Sequence, residues 1–271
     1  MPRVVELLVP MADAELAADR LWCAGAHAVE ELNAPEGAVL RSVLADDDTV
    51  SRARLGALPD EWRLTFFDQP DAPSEAWRDF AVPIEVSPTL VVRPAWLAPP
   101  SPLGGRLDVA IEPAGAFGLG DHATTRLAAA ATERLVGPGT RVLDVGCGTG
   151  VLAIVAALRG AAPIVAIDVA EAAREATVAN AERNGVAPSI DVSTTPLADV
   201  EGTFDVVLAN ILAPTLIALA SDLRRVLAPD GTLVISGVLT GGYDHVLAAL
   251  APLRPVHHAS WGGWAAVELR R

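Results

Sequence analysis

Glycines at alternate positions of one short turn are the most informative feature of this chain of 271 residues. The turn Gly146–Gly150 follows the apolar run Val142–Val145, and a helix over Val151–Leu158 is predicted to begin directly after it. Because glycine has no side chain, the backbone N–H groups of such a turn can approach a ligand closely. Asp168 follows the next apolar run, Ile164–Ile167, and a carboxylate there accepts hydrogen bonds from both hydroxyls of a ribose. The turn and the acid together predict a site for a nucleoside cofactor.

The spacing of the three glycines favours S-adenosylmethionine over a dinucleotide. A dinucleotide fingerprint reads G-x-G-x-x-G, with its third glycine one position later, so that the helix N-terminus receives a pyrophosphate. S-adenosylmethionine carries a ribose, an adenine and an amino-acid tail but no phosphate, so its site needs only the tight turn and the acid. We therefore predict Gly146, Gly148, Gly150 and Asp168 as cofactor-binding residues. The alternative is a glycine-rich turn that merely packs a helix against a sheet.

Composition and charge exclude several classes of function. Arginine supplies all 20 basic residues, and without lysine there is neither a P-loop lysine nor a Schiff base. A formal net charge of -14 disfavours direct nucleic-acid binding and favours a basic protein partner. The two cysteines, Cys23 and Cys147, form neither a disulfide framework nor a metal ligand set. This cysteine usage predicts a metal-free protein in a reducing compartment. Since no apolar run reaches membrane-spanning length, we also expect a cytoplasmic protein that does not bind membranes.

Hydrophobic periodicity divides the chain into three parts. Residues 1–67 follow the order βαββαβ, which predicts a small α+β ferredoxin-like domain. Residues 68–103 are rich in proline and are predicted to form a linker, with at most a short edge strand at Leu90–Arg93. Residues 104–271 alternate strand and helix, which predicts an α/β fold with a Rossmann-like doubly wound sheet.

Several elements of this sheet can be located from the sequence. Helices are predicted at Glu171–Asn184 and Thr215–Leu227. The C-terminal segments Val256–Ser260 and Ala265–Leu269 predict a hairpin that closes the sheet edge with an antiparallel strand. Apolar runs end at polar residues, and ligands of such sheets bind at the carboxyl ends of the strands. The residues that end these runs are Asp144, Asp168, Asn210 and Ser236.

Two further segments carry candidate site residues. Residues 115–125 place three glycines around Phe117 and continue to His122, Thr124 and Thr125 at the start of a predicted helix. This segment is a candidate lid whose threonine hydroxyls cap the helix or meet a carboxylate or an amine, although an ordinary capped helix after a flexible loop is the simpler interpretation. Asn210 ends a strand near the switch point of the sheet, where its amide can accept a hydrogen bond from an amine N–H and so orient the amine. The alternative for Asn210 is a turn residue at a strand end.

Taken together, these segments resemble the ribosomal protein L11 methyltransferase family over nearly the whole chain. The resemblance rests on motifs in the family's order: 116–118 with His122 and Thr124-Thr125, then 143–150, 209–212 and 236–237. It implies an S-adenosylmethionine-dependent enzyme that methylates lysine side chains and an N-terminal amine of ribosomal protein L11. It also implies that the leader domain recognises the substrate. The cofactor contacts that it implies are Thr125, Gly146, Asp168 and Asn210.

The loop before the first helix of the larger domain departs from the family's pattern. The family usually has Gly-Thr-Gly-Thr-His, whereas residues 118–122 read Gly-Leu-Gly-Asp-His, so contacts at Leu119 and Asp121 are expected to differ. The catalytic candidates are Asn210 to orient the amine, Phe117 as an apolar wall of its pocket, and His122 as a proton relay or a helix cap. Three alternatives stay open: a lysine methyltransferase of another protein such as the electron-transfer flavoprotein β-subunit, an NAD-dependent oxidoreductase, and a non-catalytic cofactor-binding module.

Overall fold

The computed structural model describes residues 3–24, 29–43, 48–68, 81–101, 103–113 and 122–271. The chain divides into two compact units, Met1–Ala81 and Val82–Arg271. This division falls inside the predicted linker, because residues 84–94 of that linker form two strands of the larger unit. Within the described ranges, no helix is long and apolar enough to cross a membrane.

The smaller unit is a four-stranded antiparallel sheet with two helices. Its strands lie in the order β2-β3-β1-β4, which is the ferredoxin-like order and confirms the prediction. Alternate residues of β1 point into the core, where Val5, Leu7 and Val9 pack with Leu21 of α1 and Leu40 of β3. The elements are β1 (Arg3–Val9), α1 (Ala14–Cys23), β2 (Glu30–Ala34), β3 (Gly37–Val43), α2 (Asp48–Leu55) and β4 (Arg63–Asp68).

The larger unit begins with a three-stranded sheet made of β5 (Ile84–Ser87), β6 (Leu90–Pro94) and β7 (Leu107–Ile111). Strand β6 is the middle strand, antiparallel to β5 and parallel to β7, so its prediction as an edge strand is wrong. The prolines flank this strand: Pro88 precedes it and Pro94 is its last residue, where a missing N–H removes little of the pairing. Leu90, Val91 and Val92 are fully buried.

A seven-stranded sheet forms the centre of the larger unit, with strands in the order β10-β9-β8-β11-β12-β14-β13. Alternate residues of its strands feed two separate cores: Val206 and Leu208 face one, and Val207 and Ala209 face the other. Helices α3, α4 and α5 pack on the first core, and α6, α7 and α8 pack on the second, which confirms a doubly wound sheet. The elements are α3 (Ala123–Leu135), β8 (Val142–Val145), α4 (Val151–Leu158), β9 (Ile164–Ile167), α5 (Glu171–Arg183), β10 (Ile190–Ser193), β11 (Phe204–Asn210), α6 (Ala213–Ala218), α7 (Ala220–Val226), β12 (Leu227–Leu239), α8 (Asp244–Leu250), β13 (Arg254–Trp261) and β14 (Trp264–Arg270).

The C-terminal hairpin is present and closes one edge of the central sheet with antiparallel strands, which confirms the prediction. Strand β14 pairs antiparallel with both β12 and β13, so it lies inside the sheet and β13 is the edge strand. The burial of the two strands gives the physical reason. Residues 265–269 of β14 are all buried, whereas β13 is exposed along nearly its whole length. The more apolar strand takes the position that is covered on both sides.

Two local features differ from the predicted helices. In place of one helix over Thr215–Leu227, the chain forms α6 and α7, separated by Leu219 with φ -90° and ψ 1°. Helix α6 also begins earlier, at Ala213, because Pro214 occupies the first turn, where its missing N–H costs nothing.

The order of the central sheet reverses between β8 and β11, so the polar residues at the carboxyl ends of these strands lie at the switch point.

Candidate cofactor and active site

The turn between β8 and α4 requires its glycines for two reasons. Gly146, Gly148 and Gly150 have φ of 73°, 55° and 80°, in the left-handed region that favours glycine. A Cβ on Gly146 would lie 2.4 Å from Ile211 Cγ2, and one on Gly150 would lie 2.6 Å from Thr177 Cγ2. Glycine is therefore required at positions 146 and 150 for two reasons: it permits the left-handed backbone, and it leaves space for the side chains of Ile211 and Thr177.

The amide side of this turn is held by the end of β9. The N–H groups of Gly146 and Cys147 both donate to Ile167 O, at 2.8 and 3.1 Å. The Gly148 N–H donates to Asp168 Oδ2 at 3.0 Å, and Asp168 Oδ1 accepts the Ala170 N–H at 3.0 Å. A carboxylate has about four lone-pair sites, so these two bonds leave acceptor capacity for ribose hydroxyls. The structure thus brings Asp168 and the glycine turn together.

Strand register brings Asn210 to the same edge of the sheet. In the parallel pairing of β11 with β8, Ala209 lies beside Val145, and in the pairing with β12, Asn210 lies beside Ser236. Asn210 is half-buried at the end of its strand. The next residue, Ile211, packs against Gly146. Asn210 therefore lies at the switch point, next to the glycine turn.

His122 is the N-cap residue of α3. Its Nδ1 atom is 2.8 Å from the Thr124 hydroxyl oxygen and 3.4 Å from the Thr124 backbone nitrogen, which donates to it. With Nδ1 as the acceptor, the ring proton is assigned to Nε2. The ring also packs edge-on against Trp264, with 4.8 Å between centroids. Capping is thus the geometry that the structure gives to His122, and its role as a proton relay stays a prediction.

The first turn of α3 is fixed to the central sheet. The Ser236 hydroxyl of β12 lies 3.2 Å from both Thr124 O and Ala265 O, and can donate to either. Thr125 is 1% exposed, and its Oγ1 atom has no hydrogen-bond partner in the described part of the chain. A buried hydroxyl without a partner costs about 1–3 kcal/mol, so Thr125 is a candidate for contact with a bound ligand.

Asp144 is a candidate that sequence reasoning missed. It is 1% exposed in β8, and its Oδ2 atom accepts the Ala153 N–H of α4 at 3.1 Å. Its Oδ1 atom has no hydrogen-bond partner among the described residues. Burial raises the pKa of Asp144 to about 7, and nearby Asp168 adds a smaller rise. The available signal was a carboxylate inside an otherwise apolar strand, two residues before the glycine turn.

Cys147 lies within the glycine turn but is not a nucleophile. It is 6% exposed, and its sulfur lies 3.3 Å from Thr177 Oγ1. Burial, and to a lesser extent the charge of Asp144, raise the pKa of the thiol well above its usual value. The neutral thiol therefore packs against α5.

Three of the residues named in the sequence analysis cannot be placed. Phe117, Leu119 and Asp121 lie outside the described residues, so the predicted apolar wall and the altered loop stay predictions. The placed residues fall at the carboxyl edge of the central sheet. Asp168 is hydrogen-bonded to Gly148 of the turn that also contains Gly146 and Gly150, and Asn210 adjoins this turn. Ser236 connects the same edge to the first turn of α3, which contains Thr125.

Comparison with known proteins identifies similar chains. The family model described as ribosomal protein L11 methyltransferase matches residues 69–271. Proteins of that name from Symbiobacterium thermophilum and Citrifermentans bemidjiense are each 40% identical, over 81% and 72% of this chain. The matched regions cover 72% and 65% of those two relatives. A solved structure of ribosomal protein L11 methylase from Lactobacillus delbrueckii subsp. bulgaricus has a TM-score of 0.65 and 33% identity. It covers 70% of this chain and 98% of that chain.

The raised pKa of Asp144 predicts how the free energy of unfolding depends on pH. Since the folded-state pKa of about 7 lies above the ordinary aspartate pKa of 3.8, the folded protein binds the proton more tightly than the unfolded chain does. The stabilisation that the folded state gains from the bound proton is therefore fully present below about pH 4. It is lost as the pH rises to about 7, which changes the free energy of unfolding by on the order of 4 kcal/mol. We expect the stability of the wild type to fall by this amount relative to Asp144→Asn over that range, measured by urea unfolding.

The control is Asp205, whose pKa is lowered by its hydrogen bond to Arg141. An Asp205→Asn variant should show the opposite sign: it loses stability against the wild type as the pH rises from the lowered folded-state pKa to the ordinary aspartate pKa, and the difference stays constant above that pH. Parallel stability curves for the wild type and Asp144→Asn would contradict the assignment of a buried, proton-binding carboxylate.

Proposed function

The chain belongs to the ribosomal protein L11 methyltransferase family, and from this premise we propose that it transfers the methyl group of S-adenosylmethionine to amino groups of ribosomal protein L11. One observation carries the proposal. The hydrogen bond from Gly148 to Asp168 and the register of β11 bring a glycine turn, a carboxylate and an amide together at one switch point. This juxtaposition supports their roles as cofactor turn, ribose acceptor and amine-orienting group.

The residues present fit this cofactor. Asp168 accepts hydrogen bonds from the ribose hydroxyls, and the neighbouring Val169, which is 92% exposed, offers an apolar surface to the adenine. The two buried oxygens without partners in the described ranges, Thr125 Oγ1 and Asp144 Oδ1, suit the charged amino-acid tail. An ammonium group near Asp144 would stabilise its carboxylate and so offset the cost of burying it.

The chemistry requires alignment more than acid–base power. When bound, S-adenosylmethionine supplies an electrophilic methyl group. The chain has to present an uncharged amine in line with the methyl–sulfur bond and exclude water. Methyl transfer would form a nitrogen–carbon bond as the carbon–sulfur bond breaks, with S-adenosylhomocysteine as the leaving group, and the resulting ammonium would then release one proton.

Asn210 is the proposed catalytic residue that orients this amine, because its side-chain oxygen can accept a hydrogen bond from one amine N–H. Ile211 and Leu212, both half-buried, provide apolar surface next to it, and Phe117 is proposed as a further wall. A lysine amine is protonated at neutral pH, and transfer into an apolar pocket lowers its pKa by desolvation. His122 is retained as a candidate proton relay alongside its capping role.

The acceptor is proposed to be a basic protein segment in the cytoplasm. The acidity of the chain, with a net charge of -14, supports attraction of a lysine-rich partner. The smaller unit, Met1–Ala81, is proposed to recognise that partner. The names of the relatives support ribosomal protein L11 as the acceptor and do not support the oxidoreductase alternative.

Replacing Asp168 should weaken cofactor binding. We expect Asp168→Asn to raise the Kd for S-adenosylmethionine by at least about tenfold, because one charged acceptor is lost. Calorimetric titration measures this directly. Asp191→Asn, at an exposed position on the adjacent strand β10, is the matched control and should bind as the wild type. Equal affinity of the two variants would remove the ribose assignment.

Replacing Asn210 should separate binding from turnover. We expect Asn210→Ala to lower kcat by about 100-fold, since the amine loses the group that orients it, while the Kd for S-adenosylmethionine changes by less than tenfold. Single-turnover kinetics with bound cofactor measure the first quantity, and calorimetry measures the second. Full turnover with normal cofactor binding would mean that Asn210 does not orient the amine.

Methyl labelling identifies the acceptor. We expect the wild-type chain, given S-adenosylmethionine with a labelled methyl group, to label purified ribosomal protein L11 on lysine and N-terminal nitrogens, located by mass spectrometry. Asp168→Asn should label it far more slowly at the same cofactor concentration. Labelling of a different protein in a lysate would replace L11 as the substrate, and no transfer to any protein would overturn the proposed activity.

A further inference from the structure

Helix α5 carries three polar side chains on the face that it turns toward the cofactor turn and the edge of β7. Thr177, Asn180 and Asn184 recur at positions i, i+3 and i+7, which lie on one side of a helix. Thr177 and Asn180 are fully buried. Most of their hydrogen bonds go to backbone atoms of other segments, so these residues join separate parts of the larger unit.

Two of these side chains hold the carbonyl side of the glycine turn. The Thr177 hydroxyl donates to Gly148 O at 3.0 Å, and Asn180 Nδ2 donates to Thr149 O at 3.0 Å. Gly150 lies so close to Thr177 that a Cβ there would be 3.0 Å from Thr177 Oγ1. The opposite, amide side of the turn is held by Ile167 and Asp168. The turn is thus fixed from both sides.

The same helix also supplies hydrogen-bond partners for backbone N–H and C=O groups along one edge of β7. Asn180 accepts the Glu112 N–H at 2.9 Å and donates to Glu112 O at 2.8 Å. Asn184 makes the equivalent pair of bonds with Ala110 N and O, at 2.9 and 2.8 Å. Two asparagine amides therefore replace the backbone of a missing neighbouring strand. Asn180 alone belongs to both sets of contacts and links β7 to the cofactor turn.

We propose that Thr177 and Asn180 are positioning residues for the cofactor, acting through the carbonyl groups of Gly148 and Thr149. This inference rests on the proposed function. The orientation of the turn decides where its N–H groups and Asp168 stand, so a loosened turn binds the cofactor less tightly. Because both side chains are fully buried, water does not readily replace their hydrogen bonds.

The test compares three variants that each remove side-chain hydrogen bonds from the same helix face. Thr177→Val keeps the shape of the side chain and loses only the hydroxyl, while Asn180→Ala loses the bonds to Thr149 and Glu112. Asn184→Ala is the matched control, because it loses the two hydrogen bonds to Ala110 but no contact with the turn. The Kd for S-adenosylmethionine is measured by calorimetry at a temperature at which circular dichroism shows each variant to be folded.

We expect Thr177→Val to raise this Kd by roughly three- to tenfold, Asn180→Ala to raise it further, and Asn184→Ala to stay within about twofold of the wild type. The KM for S-adenosylmethionine should rise in parallel with Kd, while the KM for the protein acceptor stays unchanged. A merely structural role would lower the Tm of all three variants without this split.

Wild-type affinity in folded Thr177→Val would overturn the inference, and so would an equal loss of affinity in all three variants. If Asn180→Ala does not fold, Thr177→Val decides the question, since its apolar replacement is tolerated by a buried site. Failure of the wild type itself to bind S-adenosylmethionine would overturn the proposed function instead.

Discussion

The hydrogen bond from the Gly148 N–H to the Asp168 carboxylate is the constraint on which the rest of the site depends. It joins the ends of β8 and β9, two neighbouring strands on one side of the switch point, through a backbone group and a side chain. Glycine is needed for the left-handed conformation of the turn, and close packing against Ile211 and Thr177 leaves little freedom to move. The cofactor therefore binds to a turn that is already fixed at the carboxyl edge of the sheet.

Burial of polar groups is the cost of this arrangement. Asp144 sits in a strand that is otherwise apolar, and burial raises the pKa of its carboxyl to about 7. A protein selected for stability alone would place an apolar residue there, because a buried carboxylate with an unpaired oxygen destabilises the fold. Perturbed carboxyl groups of this kind cluster at functional sites, and Asp144 lies two residues before the first glycine of the cofactor turn.

Much of the site could be predicted because its signals are local. The glycine spacing, the acid after Ile167 and the helix Val151–Leu158 all lie within a short stretch of sequence, and the structure contains each of them. The smaller unit was also predictable, because two periodicities alternate in the ferredoxin-like order.

The rest depends on contacts between distant segments. Strand β6 was predicted at an edge because of the prolines around it, and its middle position follows from pairing with β7, which lies far from it in the periodic pattern. Asn180 and Asn184 resemble the polar face of a helix, and only the fold shows that they bind the backbone of β7. Asp144 could have been suspected from its place in an apolar strand, but its unpaired oxygen is visible only in three dimensions.

Amide hydrogen exchange of the wild-type chain with and without saturating S-adenosylmethionine tests the central claim most directly. We expect slower exchange at residues 146–150 and 168–170 when the cofactor is present, and no such protection from NADH, which carries a pyrophosphate. Unchanged exchange at these residues with S-adenosylmethionine, or protection by NADH in its place, would contradict it.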